Sequence, residues 1–237
     1  MEQRGILLRK TKIGSPYVVA ALDEIQVAGR WERVVGWEAN GGFLTGSDIR
    51  LAAGTLSALP TRDSTLPILA NLFAAAERKT SLAELWNLLP ARFGCAGLLD
   101  NFPVTASQAI LAKLIPPSGL IQVEFNLAGD VFERSLAGNA AAPLARSLAR
   151  DWQQVKSNLK IFFTPAQGFD DIARINVLDG VRIYFRNGDV AHLRPSGNAP
   201  QLRLYANSDS QARAEEIREL ALREPDGILR QLERAFT

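Results

Sequence analysis

One cysteine and one histidine are all that 237 residues contain of the two residue types that most often ligate metals and act as nucleophiles. A single thiol, Cys95, excludes an internal disulfide and suits a reducing compartment. His192, the only residue that could activate it, lies far away in the sequence, so a buried or loop cysteine is the simpler reading. One cysteine and one histidine also cannot make a structural zinc site. Long apolar runs are missing too. No window reaches the roughly 18 uncharged apolar residues of a membrane span, and Met1 to Lys10 lacks the apolar stretch of a secretory signal. The expectation is a cytoplasmic chain with no membrane partner. Nor is there an excess of either charge: 27 basic residues face 25 acidic ones, for a formal net charge of +2. That balance gives no reason to expect nucleic acid as a partner. Any anion site must be local.

What is present is a core-forming composition, 47% hydrophobic, in a chain long enough for two ordinary domains. Gly14 or Ser15 opens a helix carrying Val18, Val19 and Leu22. Trp31 to Val35 reads as a strand, Glu38 to Gly42 as a tight loop, and Phe43-Leu44 as the next strand. Thr61 is placed as the N-cap of a helix reaching Arg78, with Leu66, Leu69, Leu72 and Phe73 along one face. Ser81 and Glu84 form a capping box for a short helix ending before Pro90. The stretch from Arg92 to Pro103 has few periodic positions and separates a domain over residues 1–93 from one over residues 98–237. Beyond it come a helix over Thr105 to Ile115 and strands at Ile121–Phe125 and within Val155–Phe163. The run Ala137 to Ala149 reads equally as helix or surface excursion. Four further strands follow, at Arg174–Val177, Val181–Phe185, Val190–Leu193 and Leu202–Tyr205. Two helices close the chain, the first capped by Ser208 or Asp209 and the second starting at Pro225-Asp226. The pattern is an α/β domain followed by an α+β domain.

The most informative stretch runs from Asp179-Gly-Val-Arg-Ile-Tyr-Phe-Arg-Asn-Gly-Asp189 through Val190-Ala-His-Leu-Arg-Pro-Ser-Gly-Asn-Ala-Pro200 to Gln201-Leu-Arg-Leu-Tyr205. Two strand-like runs flank a short loop. Arg194 offers a planar fork of donors suited to phosphate oxygens, and Ser196 adds a hydroxyl. Gly197 lets backbone N–H groups approach an anion, and Pro195 and Pro200 stiffen the shoulders. His192 alternates onto the face of Arg194, where it serves either as a base or, more simply, as a structural neighbour. Arg203 lines the site from below or faces solvent. Upstream, Glu38 and Asn40 sit on a glycine-bracketed loop and offer an acceptor and an amide to adjacent hydroxyls. Lys12 is either solvated or a flexible cation for a phosphate.

This stretch resembles the phosphate-binding loop of the α-D-phosphohexomutases, with wording like that of the bacterial phosphomannomutases. Val34-Val-Gly-Trp-Glu-Ala-Asn-Gly-Gly-Phe-Leu44 resembles that family's sugar-recognition loop. Thr11-Lys-Ile-Gly-Ser-Pro-Tyr-Val18 resembles the segment opening the second half of its third domain. The resemblance implies the family's third-domain fold, a mixed sheet with helices, for the first domain. For the second it implies the C-terminal fold, an antiparallel sheet with helices on one face. It gives Arg194, Ser196, Gly197, Asn198 and Lys12 to the substrate phosphate and Glu38 and Asn40 to the sugar ring, with His192 and Arg203 behind them. Asn40 stands where many relatives have serine, and Gly42 where many have histidine.

Two family elements have no counterpart. The phosphoserine loop pairs its serine with a histidine and a proline; Thr105-Ala-Ser-Gln108 has neither, and Ser107 reads as a helix-surface residue. The magnesium loop is a cluster of aspartates, whereas Asp170, Asp171 and Asp179 are too sparse. The resemblance therefore implies the sugar- and phosphate-binding portion of a mutase for mannose or glucose 1- or 6-phosphate. It carries no catalytic residue, binds no cofactor itself, and depends for Mg2+ and phosphoserine on N-terminal domains in cis or in a separate subunit. The alternative is a stand-alone sugar-phosphate-binding module.

Overall fold

A computed structural model describes residues 6–38, 41–135, 142–196 and 199–237. The chain divides after Pro90 into two units, 1–90 and 91–237. In the first, helix α1 (Ser15–Val27) is followed by strands β1 (Val35–Trp37), β2 (Phe43–Thr45), β3 (Ile49–Leu51), β4 (Gly54–Leu56) and β5 (Leu59–Asp63), then helices α2 (Thr65–Arg78) and α3 (Leu82–Asn87). Strands β1, β2 and β5 form an antiparallel sheet in that order, and β3 pairs with β4 as a hairpin. Val18 and Leu22 of α1 bury themselves against Val34 and Leu44, a small core for this much chain.

Two boundaries differ from the sequence reading. Thr61 is a strand residue rather than a helix cap: β5 runs through Asp63, whose carboxylate accepts from the N–H of Thr65 at the head of α2. The strand placed at Trp31–Val35 begins only at Val35. The capping box of α3 is present as read, with Ser81 Oγ accepting from Glu84 N and the Glu84 carboxylate accepting from Ser81 N. The apolar row on α2 is largely uncovered: Ile68, Leu72 and Phe73 are 58%, 47% and 70% exposed.

The second unit holds strands β6 (Phe93–Leu99), β7 (Gln122–Phe125), β8 (Val131–Glu133), β9 (Ala142–Pro143), β10 (Ile172–Asn176), β11 (Val181–Phe185), β12 (Val190–Pro195) and β13 (Leu202–Ser208). They form one antiparallel sheet in the order β6-β13-β12-β11-β10-β7-β8-β9. Helices α4 (Val104–Leu114), α5 (Arg146–Phe162), α6 (Gln211–Leu222) and α7 (Ile228–Phe236) complete the unit. Strand alternation sends Val181, Ile183, Phe185, Leu193, Leu202 and Leu204 into the core. Ile110, Trp152, Leu159, Ile217 and Leu229 join them there from the helices. The opposite face of the sheet carries Arg174, Arg182, Tyr184, His192, Arg194, Arg203 and Tyr205.

Here too the sequence reading needs correction. Phe93–Leu99, which gave no periodic signal, is the edge strand paired with β13; its small residues Gly94, Cys95, Ala96 and Gly97 leave no apolar alternation to read. Val155 to Phe162 is helix, not strand, and Phe163 caps it. Trp152, Val155, Leu159 and Phe162 recur at helical spacing and are all buried. Ser107 is buried within α4 rather than lying on its surface. Of the run 137–149, residues 137–141 lie outside the described residues and the helix starts at Arg146. Ser210, not Ser208 or Asp209, caps α6, its Oγ accepting from Arg213 N. The last helix begins at Ile228, three residues after Pro225.

Asp171, just before β10, ties α5 to the sheet. Burial pushes its carboxyl up, but hydrogen bonds from Lys156 (2.7 Å) and Lys160 (3.0 Å) outweigh that and hold it at about 2.

Candidate functional site

The β12–β13 hairpin carries the residues read as anion-binding candidates in the sequence. Its strands pair from Val190↔Asn207 to Pro195↔Leu202, so Arg194 lies on the strand itself, directly opposite Arg203. Ser196 is the first residue past the strand, its N–H donating to Gln201 O at 2.9 Å. An Arg203 terminal nitrogen donates to Ser196 Oγ at 3.4 Å. Arg203 Nε is buried with no hydrogen-bond partner among the described residues. Two guanidinium groups beside a hydroxyl form an anion-gripping constellation. Gly197 and Asn198, the next two candidates, lie outside the described residues.

Arg194 is held from behind. Its Nε donates to Asp179 Oδ2 at 2.9 Å, in a salt bridge whose side chains are 19% and 23% exposed. The backbone carbonyl of Asp179 accepts from His192 Nε2 at 2.6 Å. That bond puts the ring proton on Nε2, leaving Nδ1 to accept from an Arg182 terminal nitrogen at 3.2 Å. The Tyr205 ring lies 5.6 Å from the imidazole. Burial and the Arg182 charge push His192 down to about 4. At neutral pH His192 is a neutral strut with both ring nitrogens hydrogen-bonded.

This strut has a consequence for acid stability. Unfolded, the ring protonates near its ordinary pKa of 6.5; folded, only near 4. The unfolded state therefore binds the proton first, and stability present above pH 6.5 drains away between pH 6.5 and 4, by about 3 kcal/mol in all. The depressed carboxyl of Asp171 acts lower, its contribution falling away only between pH 3.8 and about 2. Urea midpoints of wild type and His192→Gln should therefore diverge in slope between pH 6.5 and 4; parallel curves there would show that the buried ring is not responsible.

In the first unit, the Glu38 side chain is only 5% exposed. Its Oε2 accepts from Arg62 Nε at 2.5 Å and from Ser15 Oγ at 2.9 Å. The Arg62 hydrogen bond holds the Glu38 carboxyl below its usual range; burial opposes this, and Ser15 and the Arg62 charge add to it. Gly42 makes room for the pair. A Cβ there would stand 3.0 Å from Arg62 Cγ and 3.2 Å from Glu38 Oε2, so a larger residue at 42 and this ion pair compete for one space. Asn40, the other sugar-loop candidate, lies outside the described residues. Lys12 is exposed, its Nζ 5.8 Å from the Tyr17 ring centroid.

Arg62 gives no signal in the sequence because a helix cap expected at Thr61 puts residue 62 in a first helical turn, whereas it lies on β5. Asp179 and Arg182 lie inside the informative stretch, but neither belongs to the loop chemistry that marks the candidates there. Arg62→Ala is expected to move the Glu38 titration midpoint upward in a carboxyl 13C NMR titration. An unmoved midpoint would exclude the pairing as its cause.

Among the described residues no three His, Cys, Asp or Glu side chains meet as a metal site, and no helix is long and apolar enough to cross a membrane.

Fold and candidate site together give an α+β unit with arginines and a serine at one hairpin end, preceded in sequence by a unit with a buried carboxylate beside a glycine turn. The alpha/beta/alpha domain III of phosphoglucomutase/phosphomannomutase matches residues 1–93, and the C-terminal domain of the same enzymes matches residues 143–223. The chain is 33% identical over 213 residues to a phosphomannomutase of Sinorhizobium fredii (strain NBRC 101917 / NGR234), covering 90% of this chain and 36% of that protein. It is 34% identical over 215 residues to a phosphomannomutase of Salmonella muenchen, covering 91% of this chain and 36% of that protein. The chain belongs to the phosphohexomutase family, is phosphomannomutase-like, and carries its third and fourth domains. It spans little more than a third of the length of these two relatives.

Proposed function

We propose that this chain is the substrate-holding portion of a phosphohexomutase, gripping a hexose phosphate while other parts of the enzyme transfer the phosphoryl group. The observation that carries this is the facing pair Arg194 and Arg203 beside Ser196, with Arg203 Nε buried and without a hydrogen-bond partner among the described residues. A buried N–H without a partner costs on the order of 1–3 kcal/mol. A phosphate oxygen would satisfy it. Two guanidinium groups against the single carboxylate of Asp179 leave the loop net positive, as a phosphate needs.

In this reading Arg194, Ser196, Gly197 and Asn198 hold the phosphate that is not reacting, with Lys12 as a further cation and Arg203 as a direct ligand rather than a support. Glu38 and Asn40 hold the ring hydroxyls, with Arg62 fixing the Glu38 carboxylate. Binding energy spent on the remote phosphate positions the reacting one. The phosphoserine and Mg2+ come from the remainder of the mutase, joined in cis or as a separate subunit, and no step on these residues passes through the metal. The uncovered apolar row on α2 supports a face that such a part would cover.

The test is calorimetry of the chain with mannose 1-phosphate and with glucose 1-phosphate, with and without Mg2+. Weak heat for both sugars, indifferent to Mg2+, is expected. Absence of heat from either sugar would refute the reading.

A further inference from the structure

The phosphate grip has a rear anchor whose parts come from three segments. The turn between β10 and β11 presents Asp179 and Gly180. Gly180 has φ +73°, and a Cβ there would fall 2.2 Å from Leu193 O and 3.1 Å from Arg194 Cα. Only glycine lets this turn lie against the backbone of β12 at the residue that matters. The Asp179 carboxylate then meets Arg194 Nε at 2.9 Å, while its carbonyl is fixed by His192, and His192 by Arg182.

The nitrogen used is informative. A guanidinium chelates a phosphate most effectively through a pair of its N–H groups on one edge. Holding the inner Nε from behind leaves the outer nitrogens out of this salt bridge and fixes the plane of the fork. We propose that Asp179 is the positioning residue of the phosphate grip, orienting Arg194 through Nε while the turn itself is pinned to β12 by Gly180 and His192. The proposal rests on the reading that Arg194 holds a phosphate.

Two effects of this carboxylate oppose each other. Its negative charge repels an anion at the loop and partly neutralises Arg194, so charge alone predicts tighter binding once it is removed. Orientation predicts the reverse, because a freed arginine must lose its rotamer freedom on binding. The two side chains keep about a fifth of their surface in water, which screens the charge effect, whereas a 2.9 Å charge-assisted bond fixes geometry directly. Orientation wins in this structure.

The experiment is calorimetry with mannose 1-phosphate on wild type, Asp179→Ala, Asp179→Asn and Arg194→Ala. Asp179→Ala is expected to bind about tenfold more weakly. Asp179→Asn, which keeps an oxygen for Nε, should recover to within about threefold of wild type. A merely structural turn residue would not give that rescue together with an unchanged melting temperature. Equal or tighter binding by Asp179→Ala overturns the proposal. Should Asp179→Ala not fold, Asp179→Glu decides: it keeps the charge but shifts the carboxylate by one methylene. Clear weakening supports positioning, and unchanged affinity overturns it. If Arg194→Ala binds as well as wild type, the phosphate reading falls and takes this proposal with it. If only Arg194→Ala loses affinity, the proposal alone falls.

Discussion

Arg194→Ala should weaken hexose phosphate binding by about 30- to 150-fold, the largest single effect on this site. Hydrogen bonds to charged groups contribute roughly 1.5–3 kcal/mol each; truncation removes the fork, and water entering the space it leaves offsets part of the loss, for a net of about 2–3 kcal/mol. The substitution also strands the Asp179 carboxylate, which is 2.9 Å from Arg194 Nε in the wild type, beside an incoming anion. Arg194→Lys should recover only part of the loss, because it restores a charge without the planar fork. Calorimetry with mannose 1-phosphate measures both variants. A loss smaller than threefold in Arg194→Ala would mean that Arg194 does not hold the phosphate.

The largest expected effect on stability lies elsewhere. Trp152 is fully buried on α5, within the core shared by all four helices and the sheet of the second unit. Trp152→Ala should cost about 3–5 kcal/mol through lost burial and the cavity left behind. In a unit of this size that corresponds to a fall in Tm of about 10 °C. Trp152→Phe should cost much less than its lost volume suggests, since Trp152 Nε1 is buried with no partner among the described residues and the phenyl ring carries no donor to strand. Urea unfolding followed by circular dichroism separates the two variants. Equal destabilisation by Ala and Phe would show that volume alone sets the cost.

Much of the second unit was legible because its strands alternate cleanly. Val181–Phe185 and Leu202–Tyr205 show the two-residue period of a half-buried sheet, and the structure has them as β11 and as part of β13. Legibility failed where residues with high strand propensity stood in a helix: Ile161, Phe162 and Phe163 hid the longer helical period set by Trp152, Val155 and Leu159. It failed also where a strand had nothing to alternate, as in the glycine- and alanine-rich β6. In the site, the residues facing the ligand announced themselves by chemistry. The groups behind them did not. Asp179 reaches Arg194 across a turn and a neighbouring strand, and Arg62 reaches Glu38 from β5. Register decides such contacts, and one misplaced helix cap at Thr61 was enough to hide the second.

The open face of the large sheet sets Arg174, Arg182, Arg194 and Arg203 on four successive strands, against the carboxylates of Glu124 and Asp179. Fields from such a row extend over about a Debye length, roughly 8–10 Å at moderate salt. An anion that lets go of the loop would still sit inside that favourable potential. Unbinding from the loop and escape into solution then become separate events, and a released anion gains time to rebind before it is lost.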